Sequence, residues 1–536
     1  MKKYLLILAF LVTYISFSQE DAWVYFNDKP NSAAFFSNPL SELSQRALDR
    51  RTAQNIDLVI NDAPLEATYV SQITAATGIT VMAKSKWLNC LHIRGSITDI
   101  QSLLAFPFVN HVHFADDSLN NKMAVQPTIV PVNKQLDVQV NFNYGTSANQ
   151  IQMLNGHLLH QANYTGTGKI IAVLDAGFPN VNTIAPFQRL RDNNQILGGY
   201  DYVNQSTNFY SGFDHGTMVL STMGGYVDGQ LIGTAPDAKY YLYITEDVAS
   251  ENPVEESNWV EAAEQADRVG VDIITTSLGY FAFDNANYGH TYSDMTGNSA
   301  FASQGANIAF TKGIIVLASA GNEGNTFEPH VGVPAEANNV LAIGAVKADR
   351  IYASFSSVGP SFDGRIKPDV MAQGQSSILS NTSGSIVTAS GTSFSCPIMA
   401  GMLACLWQAV PSLTNQQLII AYKQSCDRFL NPDNQYGYGI PDFQLALTIA
   451  NLSSEEHKKE NFMVYPNPTT NTVSISFPNN YTNATVYLYN TLGQILLEKT
   501  ISTSVSNVSL ETLNSGVYFY KIVNNSITQS GKIIKE

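Results

Sequence analysis

Four short segments carry side chains that together could perform nucleophilic acyl transfer. They are IAVLDAG with Asp175, FDHGTMV with His215, ASAGNEG with Asn322 and ASGTSFSCP with Ser393. A serine hydroxyl becomes a good nucleophile when a base takes its proton, and histidine suits that role because it titrates near neutral pH. A carboxylate can hold the imidazole, while an amide and a backbone N–H can donate to the oxyanion that forms. These residue types predict a hydrolase in which Asp175, His215 and Ser393 form a triad, with Asn322 and the Ser393 N–H as oxyanion donors.

The ordered set of motifs resembles the subtilisin-like serine proteases, although each motif alone is a weak signal. The resemblance rests on LDAG, HGT, SLG at 277–279, AGNEG and GTSFSCP, and the order acid, histidine, serine is that of subtilisin. It implies a serine endopeptidase that forms an acyl-enzyme. The chain departs from the family at Ala176, where Thr or Ser is more frequent, and at Met218, where a second histidine is common. Neither departure removes a catalytic group.

The resemblance also implies where a substrate binds. Ser277, Leu278 and Gly279 follow a predicted strand, and the family uses this backbone edge to pair with an extended peptide. The primary side-chain pocket would be walled by these residues and by Ala320 and Gly321. Glu323 would either attract a basic or polar group at the rim of that pocket or be an exposed acid with no role in selection.

No metal and no cofactor are predicted. The segment 226–234 occupies the place of a family calcium loop, but it is short and lacks a convincing set of oxygen ligands. Oxygen-rich loops such as 192–194 could still hold a hard cation. The cysteines Cys90, Cys396, Cys405 and Cys426 have no metal-binding spacing, and a disulfide between the last two is an open possibility.

The elements that must position these side chains alternate between strand and helix. KIIAVLDAG is an apolar run that predicts a buried parallel strand with Asp175 at its carboxyl end. Asn258 and Glu261 have the spacing of a capping box, which predicts a helix that begins there and ends near Gly270. Ser393 begins a helix that is apolar on nearly every side. Repeated βα units predict an α/β fold with a doubly wound parallel sheet and the chemistry above its strand ends.

Sequence character divides the chain into five parts. Lys2 and Lys3 precede an apolar run with the organisation of a secretory signal peptide, predicted over residues 1–18. Residues 19–135 mix strand and helix, and the resemblance implies an α+β propeptide that assists folding, inhibits the enzyme and is cut away. A permanent N-terminal domain is the alternative. The catalytic domain is expected over 144–451 and a polar linker over 452–461.

The tail, residues 462–536, alternates apolar and polar residues between turn formers, which predicts a C-terminal all-β sandwich. Its segments 465–468 (YPNP), 492–493 and 516–518 resemble the C-terminal sorting domain of the type IX secretion system. That resemblance implies export across a Gram-negative outer membrane, with the secretion machinery as a partner. The tail would then be removed and the enzyme released or attached to the surface. A sugar- or protein-binding module is the alternative.

Composition agrees with an enzyme that works outside the cell. The chain has 536 residues and a net charge of -15, which argues against nucleic acid as a partner because phosphate binding needs a basic surface. No stable membrane span is predicted, since the leading apolar run is short. The expected partners are protein or peptide substrates and the chain's own propeptide.

Two other functions compete with this interpretation. An inactive adhesin on a protease scaffold would keep the fold and tail without turnover. A serine-carboxyl peptidase shares the string SGTS but would use carboxylates rather than His215 and would work in acid. An esterase of the GxSxG type is disfavoured because Ser395 stands where glycine is needed.

Overall fold

The computed structural model describes residues 19–120, 142–457, 462–477, 482–490, 494–503, 506–524 and 528–536. The expected signal peptide at 1–18, residues 121–135 of the expected propeptide and the motif at 492–493 lie outside the described residues. The chain separates into two compact units, which divide between Ser453 and Ser454.

The first unit begins with an antiparallel sheet whose strands lie in the order β2-β3-β1-β4. Its strands are β1 (Glu20–Phe26), β2 (Thr80–Ser85), β3 (Cys90–Gly95) and β4 (Val109–Phe114). Its helices are α1 (Ser32–Ser37), α2 (Gln45–Ala53), α3 (Ala67–Thr74) and α4 (Ile97–Ser102). Alternate residues of β1, among them Ala22 and Val24, pack into one apolar cluster with Ile93 of β3. This region is the α+β element expected at the N-terminus.

A parallel sheet with strand order β13-β12-β11-β10-β5-β9-β6 forms the centre of the same unit. Its strands, in chain order, are β5 (Ile170–Asp175), β6 (Ile196–Asp201), β9 (Lys239–Ile244), β10 (Ile273–Thr276), β11 (Ile315–Ser319), β12 (Val340–Val346) and β13 (Val370–Gln373). Two hairpins lie outside it, β7 (Tyr226–Val227) with β8 (Leu231–Ile232) and β14 (Ser377–Ser380) with β15 (Ile386–Ala389). The expected short loop at 226–234 is therefore a small hairpin.

Helices cover both faces of this sheet. They are α5 (Ala148–Gln152), α6 (Gly156–Gln161), α7 (Gln188–Asp192), α8 (His215–Gly224), α9 (Val254–Val269), α10 (Phe301–Thr311), α11 (Thr392–Ala409), α12 (Asn415–Gln424) and α13 (Phe443–His457). Strand β5 shows the two layers, because Ile171 and Val173 join a core with residues of α8 and α11 while Ala172 and Leu174 join a core with residues of α9 and α10. Two faces buried by helices explain why the strand is continuously apolar. The expected doubly wound α/β sheet is confirmed.

Helix α9 begins four residues before the expected position. Asn258 and Glu261 lie inside it, so the capping box predicted at those residues is wrong. The same spacing occurs six residues earlier, at Asn252 and Glu255. There the Asn252 side chain accepts the Val254 N–H at 3.2 Å, and the Glu255 carboxylate accepts the Asn252 N–H at 3.0 Å. The end was predicted correctly, since Gly270 follows the last helical residue with a φ of 85°.

One further expectation needs correction, and the structure bears on one possibility that the sequence left open. The polar segment expected as a linker from residue 452 is helical as far as His457, because α13 continues through it. The four cysteines are buried free thiols, so Cys405 and Cys426 do not form a disulfide in this structure.

The second unit contains two antiparallel sheets in its described residues. One has the order β16-β17-β20 and the other β19-β18-β21-β22. The strands are β16 (Met463–Tyr465), β17 (Thr472–Ser476), β18 (Asn483–Tyr489), β19 (Ile495–Ser502), β20 (Asn507–Ser509), β21 (Gly516–Val523) and β22 (Thr528–Lys535). Val473 and Ile475 of the first sheet share a core with Val486, Leu488 and Ile522 of the second. Shared packing between two sheets is the β-sandwich that the alternating sequence predicts.

Candidate active site

Asp175 is the last residue of β5 and lies at the carboxyl edge of the parallel sheet, where ligands of doubly wound folds bind. Its side chain is almost completely buried. The Oδ1 atom accepts the Ala176 backbone N–H at 2.8 Å and also lies 2.8 Å from Nδ1 of His215. The structure therefore brings together these two residues of the predicted triad.

His215 is the first residue of α8, and about a quarter of its side chain is exposed. A carboxylate can only accept hydrogen bonds, so Nδ1 carries the proton and Nε2 is the basic nitrogen of the neutral ring. Burial lowers the pKa of His215, but the Asp175 charge, its hydrogen bond and the charge of Asp214 outweigh burial and raise that pKa above its ordinary value. The imidazole is thus tuned to hold a proton more firmly than a free histidine does.

Ser393 is the second residue of α11 and is largely buried, with 8% of its surface exposed. Its Oγ donates to the Ser277 carbonyl at 3.3 Å, and the Ser277 Oγ donates back to the Ser393 carbonyl at 2.9 Å. The hydroxyl thus bonds to Ser277 rather than to His215. The next residue, Phe394, brings its ring within 6.0 Å of the His215 ring, measured between centroids. The structure therefore brings the residue next to Ser393 close to the histidine, while the Ser393 hydroxyl bonds to the segment that follows β10.

Asn322 follows β11 and faces the first turn of α11. Its amide oxygen accepts the Thr392 N–H at 2.9 Å and the Thr392 hydroxyl at 3.1 Å. A backbone N–H can only donate, so the atom it meets must be the amide oxygen, and the NH2 group is directed elsewhere. The asparagine side chain is exposed. Thr392 was not singled out from the sequence, although it lies within the Ser393 motif.

The residues predicted to bind substrate lie on neighbouring strand ends. Ser277, Leu278 and Gly279 follow β10, and exposure increases along them from buried Ser277 to exposed Gly279. Ala320 directly follows β11 and is buried. The Gly321 N–H donates to the Thr392 hydroxyl, and that hydroxyl donates to the Gly321 carbonyl. The two segments therefore lie at the same edge of the sheet.

A third segment beside these residues was not predicted from the sequence. The Tyr280 N–H donates to the Val333 carbonyl at 2.8 Å, which brings the segment 331–333 alongside the residues after β10. A Cβ atom on Gly279 would lie 3.3 Å from that carbonyl. Because the contact joins residues more than fifty positions apart and has no motif, no sequence signal pointed to it.

A second acid beside Asp175 also escaped the sequence analysis. The Thr245 N–H donates to the Asp175 carbonyl at 3.1 Å. Glu246 is the next residue after Thr245 and therefore lies near Asp175. Its carboxylate accepts from the hydroxyls of Thr245 and Tyr280 at 2.6 and 2.9 Å. Burial raises the pKa of Glu246 well above its ordinary value, and the charge of Glu255 adds to that effect. The Glu246 carboxyl therefore ionises less readily than a free glutamate, next to the pair formed by Asp175 and His215.

The candidate pocket residue Glu323 is tied to the protein by a hydrogen bond. Its carboxylate accepts the Ser357 hydroxyl at 2.9 Å, and Ser357 Oγ in turn accepts the Glu323 N–H at 3.1 Å.

Among the described residues, no group of three or more His, Cys, Asp or Glu side chains is arranged to hold a metal ion. In the same residues no helix is both long enough and apolar enough to cross a membrane.

Three sequence profiles match separate parts of the chain. The subtilase family, peptidase family S8, matches residues 166–439. The propeptide domain of S8 peptidases from Bacteroidota matches residues 21–129, and the C-terminal sorting domain of a secretion system matches residues 463–536. The matched segments fall in the regions where the sequence predicted a catalytic domain, a propeptide and a sorting tail.

Individual relatives agree with the family match. Subtilisin NAT from Bacillus subtilis subsp. natto is 31% identical over 303 residues, which cover 55% of this chain and 70% of the relative. Subtilisin from Bacillus pumilus is 30% identical over 303 residues, covering 55% of this chain and 97% of that protein. Serine protease AprX from Bacillus subtilis is 30% identical over 305 residues, which cover 51% of this chain and 65% of the relative.

Proposed function

Because the chain belongs to the subtilase family of serine endopeptidases, we propose that Asp175, His215 and Ser393 are its catalytic triad. The observation that carries the proposal is the 2.8 Å contact between the buried Asp175 carboxylate and His215 Nδ1 at the carboxyl edge of the sheet. That contact fixes the tautomer in which Nε2 can accept a proton. It also accounts for the raised pKa of His215, which favours the imidazolium formed during attack.

In the proposed mechanism the Ser393 hydroxyl turns from the Ser277 carbonyl toward His215 when substrate binds. Its Oγ attacks the scissile carbonyl carbon as Nε2 takes the hydroxyl proton, which produces a tetrahedral oxyanion. The oxyanion collapses as the carbon–nitrogen bond breaks, and the leaving amine takes the proton from Nε2. A water molecule then attacks the acyl-enzyme by the same route, which releases the acid and restores the serine.

Asn322 and the Ser393 backbone N–H would hold the oxyanion. The support for Asn322 is that Thr392 binds its amide oxygen, which leaves the NH2 group free to turn toward the crevice. The Ser393 N–H lies in the first turn of α11, where N–H groups have no partner within the helix. Donors fixed before the reaction stabilise developing charge without having to reorganise.

The substrate backbone would pair with Ser277–Gly279, and its principal side chain would enter between that segment and Ala320–Gly321. The support is the rise in exposure along 277–279, which leaves the outer backbone of this segment at the surface. Backbone pairing is indifferent to sequence, so preference would come from the pocket walls. The segment 331–333 is added to those walls by its contact with Tyr280.

The flanking regions place the enzyme outside the cell. The secretion sorting domain shows export by the type IX system to the cell surface or the medium. For the N-terminal region, which matches an S8 propeptide, we propose that residues 19–135 inhibit the enzyme until they are cut away. Intact mass and N-terminal sequence of the secreted protein would show whether both ends are trimmed.

The test of the active site is the pair of variants Ser393→Ala and Ser395→Ala in the full chain. Both serines lie on α11, but the Ser395 hydroxyl donates to the Thr392 carbonyl of its own helix. We expect Ser393→Ala to abolish casein hydrolysis, self-processing and labelling by a fluorophosphonate probe, while Ser395→Ala keeps all three. Labelling that persists in Ser393→Ala would overturn the assignment, and a parent chain without casein hydrolysis would favour an inactive adhesin.

A further inference from the structure

A helical lobe, residues 27–63, interrupts the N-terminal sheet between β1 and α3. It contains α1 and α2 and has a small core of its own, formed by Phe35, Leu43, Ala47 and Ala63. The lobe does not approach the candidate active site. Instead its helix α2 packs closely on the end of α9, because a Cβ atom on Gly270 would lie 2.9 Å from the Ala47 nitrogen.

Two consecutive arginines of the lobe bind one buried acid of the catalytic unit, by which we mean residues 144–451 within the first unit. Arg51 makes a bidentate contact with Asp267, with both nitrogen–oxygen distances at 2.8 to 2.9 Å, and Arg50 bonds to the same carboxylate. All three side chains are at most 4% exposed. Burial raises the pKa of Asp267, but the two guanidinium groups outweigh burial and lower it, so the carboxylate is held in its charged form.

A second acid extends this contact into an alternating network. Asp62 of the lobe accepts from Arg51 at 2.8 Å and pairs with Lys312 of the catalytic unit at 3.0 Å. Arg50 also donates to the carbonyls of Lys312 and Val271. Each charge in the network therefore faces an opposite charge, which is the condition under which buried ion pairs are tolerated.

Lobe residues before and after the two arginines in sequence contact other helices and loops of the catalytic unit. Arg46 pairs with Asp272 at 2.7 Å. Gln54 donates to the Gly313 carbonyl at 2.9 Å and accepts the Asn415 N–H at 2.8 Å. Helix α2 and the residue that follows it thus contact α9, α12 and the segments that lead into β10 and β11.

These contacts lie at the edge of the sheet opposite to the catalytic residues. Asp272 and Gly313 come before β10 and β11, whereas Ser277 and Ala320 follow the same strands. Strands of four and five residues at about 3.3 Å per residue put roughly 13–17 Å between the two edges. The lobe's contacts are therefore separate from those of the substrate crevice.

We propose that the helical lobe is an anchor that keeps the N-terminal region bound to the catalytic unit after the connection between them is cut. The partner is the chain's own N-terminal fragment. The buried contacts of Arg50 and Gln54 lengthen the time it stays, in addition to contacts of the N-terminal sheet such as those from Ser85 and Trp87 to Glu264 of α9. The inference rests on the proposed function in that the connection is cut during maturation. It adds that release from the crevice is insufficient, because the separate attachment at the far edge must also be broken.

The test uses the full chain with Ser393→Ala, so that its outcome does not depend on the enzyme's own activity. A recognition sequence for a highly specific protease is inserted between residues 127 and 128, the chain is cut, and dissociation of the fragment is followed by size-exclusion chromatography and competition with labelled fragment. Arg50→Met removes a contact made only with the catalytic unit. Gln45→Met is the control, because this exposed residue of the same helix bonds to Asp49 within the lobe.

We expect the cut parent and Gln45→Met to remain complexes. Arg50→Met should raise the dissociation rate by about 30-fold or more, the low end for truncating one partner of a buried charged pair. Gln54→Ala leaves the ionic network intact and should raise it by about five- to ten-fold. Parent-like rates in both variants, or immediate dissociation of the cut parent, would overturn the proposal. Loss of casein hydrolysis in the active chain would instead count against the proposed function alone.

Discussion

The Asn322 amide oxygen accepts the backbone N–H of Thr392 at 2.9 Å, which ties the end of β11 to the first turn of the helix that carries Ser393. The two elements come from segments seventy residues apart. The contact decides which end of the amide is free, because the oxygen is occupied and the NH2 group is not needed to bind Thr392. The proposed oxyanion donor and the helix turn of the proposed nucleophile are thereby tied together by one hydrogen bond.

Asn322→Ala should lower kcat strongly and leave KM nearly unchanged, because the NH2 group would act on charge that develops after binding. The expected loss is about 10²–10³-fold, the magnitude measured for the oxyanion-hole asparagine of subtilisin. Steady-state kinetics with a chromogenic peptide measure it. Asn325→Ala, in the same exposed loop, is the control and should behave as the parent. A loss in Asn322→Ala confined to KM would show that the residue only binds substrate.

Asp214→Asn should shift the acid limb of the kcat/KM profile to lower pH. The charge of Asp214 contributes to the raised pKa of His215. The proposed mechanism needs this histidine neutral. Activity should therefore rise with pH through a pKa above the usual 6.5 in the parent and through a lower one in the variant. Profiles between pH 5 and 9 measure the shift. Asp228→Asn, which removes a more distant exposed acid, should leave the limb in place, and a shift to higher pH in Asp214→Asn would contradict the assignment.

The sequence predicted the parts of the site that depend on local pattern. An apolar run that predicts a strand end or a helix start lies beside each of Asp175, His215 and Ser393. The position of each residue in its element could therefore be predicted from periodicity and motif. Glu246 and the segment 331–333 carry no such mark, because they reach the site through contacts made only in the folded sheet. The start of α9 was misplaced because two N-x-x-E spacings occur six residues apart and only tertiary contacts select between them.

Acid should destabilise the first unit through His160. Its Nε2 lies 2.9 Å from the Thr234 carbonyl and its Nδ1 lies 2.8 Å from the Tyr144 hydroxyl, so the neutral ring is satisfied. Burial lowers the pKa of His160 to about 4, below the value near 6.5 expected in the unfolded chain. The unfolded state therefore takes up the proton first, and stability present above pH 6.5 is lost as the pH falls toward 4.

His160→Gln should remove this pH dependence. The parent is expected to lose about 2 kcal/mol of unfolding free energy from this group between pH 7 and pH 5, and the difference between parent and variant should shrink by that amount. Urea unfolding in the Ser393→Ala background avoids self-digestion. Tyr144→Phe serves as the control, since it removes a partner of the ring but keeps the titrating group. A constant difference between parent and His160→Gln across this range would show that the histidine does not titrate as inferred.

Gly305→Ala should reveal how tightly α10 packs on α9. A Cβ atom at Gly305 would lie 2.5 Å from Cγ2 of Val260, closer than real side chains approach. Alanine normally favours a helix over glycine by about 1 kcal/mol, but overpacking costs about 1–3 kcal/mol, so the single variant should be less stable than the parent. Val260→Ala removes the clash, and the double variant should be at least about 1 kcal/mol more stable than the sum of the two single effects. Urea unfolding of all four proteins completes the cycle, and strict additivity would mean that the two helices separate to admit the methyl group.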